Sequence, residues 1–213
     1  MREILGPIYS QDQRKHCPQC FIMSDQKYWN DILNNYKTPL GAYQFKRMLF
    51  AKTFLYSPNQ FDDLFKFAIS REPIDRAKSM FFYLFRAPIA NIPNGEKERA
   101  LPNLFTAFLN CIEEARNSSS NTEPYGVHFQ THTADMYTDI SDDTGSVLVD
   151  GIWRLENLHM ALEAISEIAG IEKKLETSHL QRQEKMDFSL NDSHIKAVRH
   201  LFEKDFDIYE NAS

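Results

Sequence analysis

The sequence predicts an α/β domain, a mainly parallel sheet flanked by helices. Two stretches carry that expectation, each an apolar run followed directly by a helical period. Leu64–Ser70 is a short, mostly apolar run of the kind that forms a buried strand, and after it Ile74, Ala77, Met80, Phe81, Leu84 and Phe85 recur at three- and four-residue steps. Gly145–Ile152 reads as a second core strand, and Leu158, Ala161, Leu162, Ile165 and Ile168 form the apolar stripe of a helix over Glu156–Ala169, stopped by Gly170. With 213 residues and 42% hydrophobic content the chain can bury one sizeable core, so residues 1–213 are most simply one domain.

The remaining elements follow in order. Residues 1–60 look helical and connective. Ser24 caps a helix through Tyr28, Ile32 and Leu33, Gly41 separates it from a second one over Tyr43–Phe54, and Pro58-Asn59 turns the chain towards the strand at Leu64. Pro88, Pro93 and Asn94-Gly95 mark Ala87–Gly95 as a loop. A helix opening near Pro102 places Leu104, Phe105, Phe108, Cys111 and Ile112 on its inner face. Asn117–Pro124 is a polar break suited to a mobile loop. Tyr125-Gly126 and the alternation Val127, Phe129, Thr131 predict an extended segment. Asp139–Gly145 lacks the oxygen-ligand spacing and closing Glu of a calcium loop and reads as a polar turn. Ser178–Asp187 is patternless, and Asn191, Asp192 and Ser193 offer caps for a last helix, Ile195–Tyr209.

The chemistry concentrates in Arg71-Glu-Pro-Ile-Asp-Arg-Ala-Lys-Ser79. Pro73 sits where a helix begins, because its missing N–H is not needed in the first turn. Arg71 is then at the carboxyl end of a strand and Ser79 about two turns into the next helix. A guanidinium fork, a hydroxyl and helix N–H groups at such a junction can converge on one phosphate. The same residues also fit a solvated first turn in which Arg71 and Arg76 pair with Glu72 and Asp75.

The pattern Arg-x-Pro-x-x-Arg-x-x-Ser after an apolar strand resembles the 3′-phosphate-binding segment of the sulfotransferases, most closely the carbohydrate group with its heparan 2-O and chondroitin-type members. Three later segments fit in the same order. Val127-His128-Phe129-Gln130 resembles the family's His-aromatic-Gln stretch without its usual Pro. Val149–Leu158 resembles the strand ending in an aromatic-Glu-Asn-Leu signature, with Leu155 where an aromatic is common. Ile195–Tyr209, with Lys204-Asp-Phe206, resembles the closing helix and its Tyr/Phe-x-x-Asp-Phe tail. The resemblance spans about residues 60 to 210. It implies a P-loop-like sulfotransferase fold and transfer of a sulfuryl group from 3′-phosphoadenosine 5′-phosphosulfate (PAPS) to a hydroxyl of a carbohydrate. It further implies that Arg71 and Ser79 bind the donor's 3′-phosphate and that His128 contacts the acceptor. The strand end near Arg154 and Glu156 would lie beside the adenine.

The family's Pro-Lys-Thr-Gly-x-x-Ser loop, which holds the 5′-phosphosulfate, is not found upstream of Arg71. Lys37-Thr-Pro-Leu-Gly41 is the nearest string and reads as a helix–helix turn, too close to Arg71 for a full extra strand–loop–helix unit. The chain is then either a fragment that has lost its first βα unit or a protein that binds its donor differently or not at all, and transfer by it is expected to be weak; the alternative function is a non-catalytic nucleotide- or glycan-binding module.

Composition bounds the rest. A net charge of −6 with no basic stripe argues against duplex nucleic acid as a partner, while a local basic cleft for an anionic glycan remains compatible. Sixteen Phe and nine Tyr predict an aromatic core. No apolar run approaches the ~20 residues of a membrane span, and no leader opens the chain, which predicts a cytoplasmic bacterial-type protein or a soluble fragment. Three cysteines make no disulfide framework, and Cys17-Pro-Gln-Cys20 lacks the second ligand pair of a zinc site. His128 and His132 have metal spacing only on a helix, so no metal is expected.

Overall fold

The computed structural model describes residues 47–117, 126–171 and 188–213. Outside them lie Cys17 and Cys20, Lys37, the helix capped by Ser24, the Gly41 turn, most of the Asn117–Pro124 break and all of the segment at 178–187. The described residues form an α/β arrangement, mainly helical around a small parallel sheet, as the two strand-then-helix units predict.

Helix α1 (Met48–Phe50) runs into a π-helical turn, Ala51–Leu55, so the described part of the expected Tyr43–Phe54 helix changes pitch within two turns. Pro58-Asn59 opens a helix, α2 (Pro58–Asp63), instead of a simple turn. Ser57 supplies the reason: its hydroxyl and the Gln60 side chain form a reciprocal capping box, and Pro occupies the first helical position.

Strand β1 covers Phe67–Ser70 and is shorter than the expected Leu64–Ser70. The Lys66 ammonium bonds the Leu64 and Phe61 carbonyls, while the Lys66 N–H donates to Asp150, so the chain is still turning where the apolar run begins. β1 pairs in parallel with β2 (Gly151–Arg154), in the register Phe67↔Gly151 to Ser70↔Arg154. The second strand starts at Gly151 and not at Gly145. One carboxylate oxygen of Asp142 accepts from the Thr144 and Ser146 N–H groups and the Thr144 hydroxyl, closing a tight loop under the isolated Ser141↔Val147 bridge. The polar turn expected at Asp139–Gly145 is therefore present, built by an aspartate engaged with backbone. Beyond β2, Ser213 accepts from the Arg154 N–H and donates to the Ile152 carbonyl, so the end of the chain lies along the strand's second edge.

Helix α3 (Pro73–Leu84) follows β1 with Pro73 in its first turn and buries Ala77, Met80 and Phe81. The first part of the expected Ala87–Gly95 loop belongs to the short helix α4 (Arg86–Ala90), and α5 (Lys97–Asn117) begins before Pro102 and contains it. Pro102 lies in the helix's second turn, where it removes one backbone hydrogen bond; the 3₁₀ turn Asn94–Glu96 leads into the first. The segment expected as extended is instead helix α6 (Val127–Thr133), followed by α7 (Met136–Ile140). Gly126 starts α6, and the Gln130 N–H donates to its carbonyl. Helix α8 (Leu158–Ile168) is preceded by a 3₁₀ turn, and the single expected last helix divides into α9 (Asp192–Leu201) and α10 (Glu203–Asn211) at Phe202, whose φ of −127° and ψ of 33° leave the helical range.

The main core is aromatic. Phe81, Phe85, Phe105, Phe108 and Phe188 meet in tilted and edge-to-face pairs at centroid distances of 5.3–5.7 Å among Phe81–Phe105, Phe81–Phe108 and Phe105–Phe188, the geometry the ring quadrupoles favour. A smaller cluster joins α8, through Ala161 and Ile165, to the sheet face of Phe67, Ile69 and Trp153. Gly151 is required there, since a Cβ would sit 2.6 Å from the Trp153 ring. No helix among the described residues is long and apolar enough to cross a membrane.

Phe105 is fully enclosed, so Phe105→Ala should cost about 3–5 kcal/mol, read as a lowered urea midpoint. A second expectation concerns His194, which is buried. Its Nδ1 accepts from the Asn191 N–H at 3.4 Å, so Nε2 carries the proton and faces the Thr106 hydroxyl at 2.8 Å. Burial holds the imidazole below its usual value of 6.5. The unfolded chain thus binds this proton more readily, and the stability it contributes, complete above 6.5, is lost as pH falls towards the folded value. Denaturation at pH 7.5 and pH 5 should show a smaller difference in His194→Gln than in the wild type.

Candidate functional site

The parallel register brings two predicted segments to one end of the sheet. Ser70 pairs with Arg154, so Arg71 and Leu155 leave the carboxyl ends of neighbouring strands together, where open α/β sheets bind ligands. Ser79 lies on α3 and is exposed; Arg71 is half-buried. Among the described residues neither has a hydrogen-bond or ion-pair partner.

The alternative first turn, with Arg71 and Arg76 paired to Glu72 and Asp75, does not occur. Glu72 turns back to cap α3, accepting from the Asp75 N–H at 2.7 Å. That bond also corrects the expectation of free helix N–H groups, because the third of them is taken. An anion at this junction would be held by the Arg71 guanidinium and a hydroxyl, with the cap already filled.

Arg154 and Glu156 do not pair with each other. The Arg154 guanidinium donates to the Tyr209 and Glu210 carbonyls at 3.0 and 2.9 Å, at the carboxyl end of α10, and stands over the Tyr209 ring at 4.9 Å. Glu156 instead stands near the Tyr209 phenol. Partial burial pushes the Tyr209 phenol upward, and the charges of Glu156 and Glu72 add to it, so the group stays a donor. The sheet end therefore gathers Arg71, Glu72, Glu156 and Tyr209.

His128 lies in the first turn of α6, and its side chain is outside the described atoms. As a helix, α6 puts His128 and His132 one turn apart; His132 packs on Tyr83 at 4.7 Å. Among the described residues no group of three or more metal-ligating side chains converges. Phe129 anchors α6 on Phe108, and the Gln130 Oε1 is enclosed with no hydrogen-bond partner among the described residues.

A charged cluster behind this end was not read from the sequence. Asp205 is 3% exposed and accepts from Arg76 at 3.0 Å and from the Met136 and Tyr137 N–H groups at 3.1 and 2.9 Å. Arg76 also donates to the Ala134 carbonyl at 2.5 Å. Arg116 bonds Asp135, the Leu201 carbonyl and, at 3.3 Å, the Thr133 carbonyl. Both guanidinium groups lie over the Phe202 ring, at 5.5 and 4.9 Å. Burial raises the Asp135 carboxyl despite Arg116 beside it, and the Asp205 charge adds to the rise. The Phe202-x-x-Asp205-Phe206 spacing was the available signal for this cluster.

The family model described as the sulfotransferase family matches residues 8–211. The chain belongs to the sulfotransferase family. The match is wider than the motif likeness at residues 60 to 210 and takes in most of the first 60 residues. No curated protein and no solved structure matches the chain.

Removing one member of the enclosed pair strands the other charge. Asp205→Ala should cost about 3–5 kcal/mol, measured by chemical denaturation, and more than replacing Asp205 and Arg76 together with apolar residues. Glu72→Ala, which removes only a cap, should cost about 1 kcal/mol.

Proposed function

We propose that this sulfotransferase takes PAPS as donor and a carbohydrate hydroxyl as acceptor, with Arg71 and Ser79 holding the donor's 3′-phosphate. The observation that carries this reading is the contrast between two arginines of one motif. Arg76 is fully engaged with Asp205 and Ala134, whereas Arg71, at the carboxyl end of β1, has no partner among the described residues. A half-buried guanidinium at that position fits a phosphate, which it can grip bidentately.

The donor supplies an activated sulfuryl group. The acceptor oxygen forms a bond to sulfur as the bond to the bridging oxygen of the 5′-phosphate breaks; the acceptor proton passes to a base and the electron pair to the leaving 3′,5′-bisphosphate. Arg71 fixes one end of that leaving group, and the Ser79 hydroxyl adds a donor on the exposed side of α3. His128, in the first turn of α6, is the acceptor contact in this reading, since an imidazole near neutrality can accept a hydroxyl proton. The sheet end beside Leu155 and Tyr209 would take the adenine, with Leu155 giving apolar packing.

Titration calorimetry tests the donor site. Adenosine 3′,5′-bisphosphate should bind more tightly than 5′-AMP, and Arg71→Ala should remove most of the preference, because hydrogen bonds to charged groups contribute roughly 1.5–3 kcal/mol each. Equal affinity for the two nucleotides would sink the assignment. Transfer of labelled sulfate from PAPS to a panel of glycans then separates the enzyme from a binding module, which would bind the bisphosphate and transfer nothing.

A further inference from the structure

We infer that Arg76 is a positioning residue for the transfer reaction: its forked contact to Ala134 and Asp205 sets where α6, with His128 and Gln130, lies relative to the Arg71-bearing start of α3. The functional part of this inference rests on the reading of Arg71 as the donor contact.

The geometry is local. Arg76 is in the first turns of α3, five positions after Arg71, on the helix that Pro73 and Glu72 anchor to the end of β1. Its two terminal nitrogens part company. One reaches Ala134, which terminates α6, and the other reaches Asp205. Asp205 in turn accepts from Met136 and Tyr137, the first two N–H groups of α7. A cation thus closes the carboxyl end of α6 while an anion, held by the same cation, opens α7, each on the side its helix dipole favours. The bend between the two short helices is defined from α3.

Helix α3 also touches α6 through Tyr83, whose ring lies 4.7 Å from His132, two residues before Ala134. Arg116 grips the same bend through Thr133 and Asp135, but it belongs to α5, which carries none of the donor residues. Packing of Phe129 on Phe108 also ties α6 to α5. The Arg76 fork is a polar grip on this bend that comes from α3. Geometry matters more than charge here, since the planar fork fixes the angle between its two acceptors, which the rotatable donors at the end of a shorter-reaching, flexible lysine do not. Misplacement of about 1 Å far from the reacting atoms can cost 10²-fold in rate.

The test uses the full chain with Arg76→Lys and Arg76→Met, followed by amide hydrogen exchange, bisphosphate titration and transfer kinetics. Exchange at residues 129–137 should speed by tenfold or more in both variants while α3 and α5 keep their protection, and Lys should not rescue. Affinity for adenosine 3′,5′-bisphosphate should stay within about twofold, and where turnover is measured the loss should fall on kcat and the acceptor KM, with the donor KM unmoved. Exchange that rises uniformly across the molecule, rescue by Lys, or a donor affinity that falls with the fork would each overturn the inference. A wild type that does not distinguish the bisphosphate from 5′-AMP would instead overturn the donor reading, and the exchange pattern would still decide whether the fork holds α6.

Discussion

The enclosed carboxylate of Asp205 is the constraint around which the described structure is arranged. A charge this buried is tolerated only when it is paired and hydrogen-bonded, and here a guanidinium and two backbone N–H groups engage both its oxygens. To supply those partners, three separate stretches must arrive together: the second turn of α3, the bend between α6 and α7, and the start of α10. Phe202, one turn earlier, breaks the helix so that α10 can present Asp205 at all, and its ring receives both Arg76 and Arg116. The aromatic core holds Phe81, Phe105 and Phe108, among the largest fully buried side chains, but its packing is non-directional. The charged cluster fixes which helix ends meet.

That division has a functional side. A motif with two arginines spaced five apart invites the assumption that both serve one ligand. In this fold they face different tasks: Arg76 turns inward to the cluster and Arg71 stays at the sheet end without a partner among the described residues. Glu72, between them in sequence, caps its own helix and so removes itself as a competing ion-pair partner for either. The result leaves the Arg71 guanidinium beside a capped helix start, and the proposed donor site rests on that arrangement.

Much of this was legible in the sequence where local rules and tertiary packing agree. The βα unit of β1 and α3 follows from an apolar run, a Pro at the first helical position and a clean 3.6-residue period. Helix α8 and the caps of α9 follow from the same rules. The rest depended on partners distant in the chain. Val127, Phe129 and Thr131 alternate as in a strand, yet a seven-residue helix is too short for periodicity to separate the two, and Phe108 with the Arg76 fork decides it. Val147-Leu148-Val149 has strand composition, but the Asp142 loop holds it off the sheet. The engagement of Arg154 with Tyr209 and Glu210 was not legible, because nothing local says that the last residues of the chain return alongside β2. At the site, Arg71 and Ser79 were visible as a motif; that Arg76 belongs to the structure was not, because Asp205 lies 129 positions away.

The account's central claim is that the sheet end at Arg71 is where the donor nucleotide is held. The most direct measurement is a crystal structure of the chain with adenosine 3′,5′-bisphosphate. The account predicts the 3′-phosphate within hydrogen-bonding distance of the Arg71 guanidinium and the Ser79 hydroxyl, with Glu72 still capping α3 and Arg76 still on Asp205. A nucleotide bound elsewhere, or one whose 3′-phosphate is held by Arg76 while Arg71 points away, would contradict it.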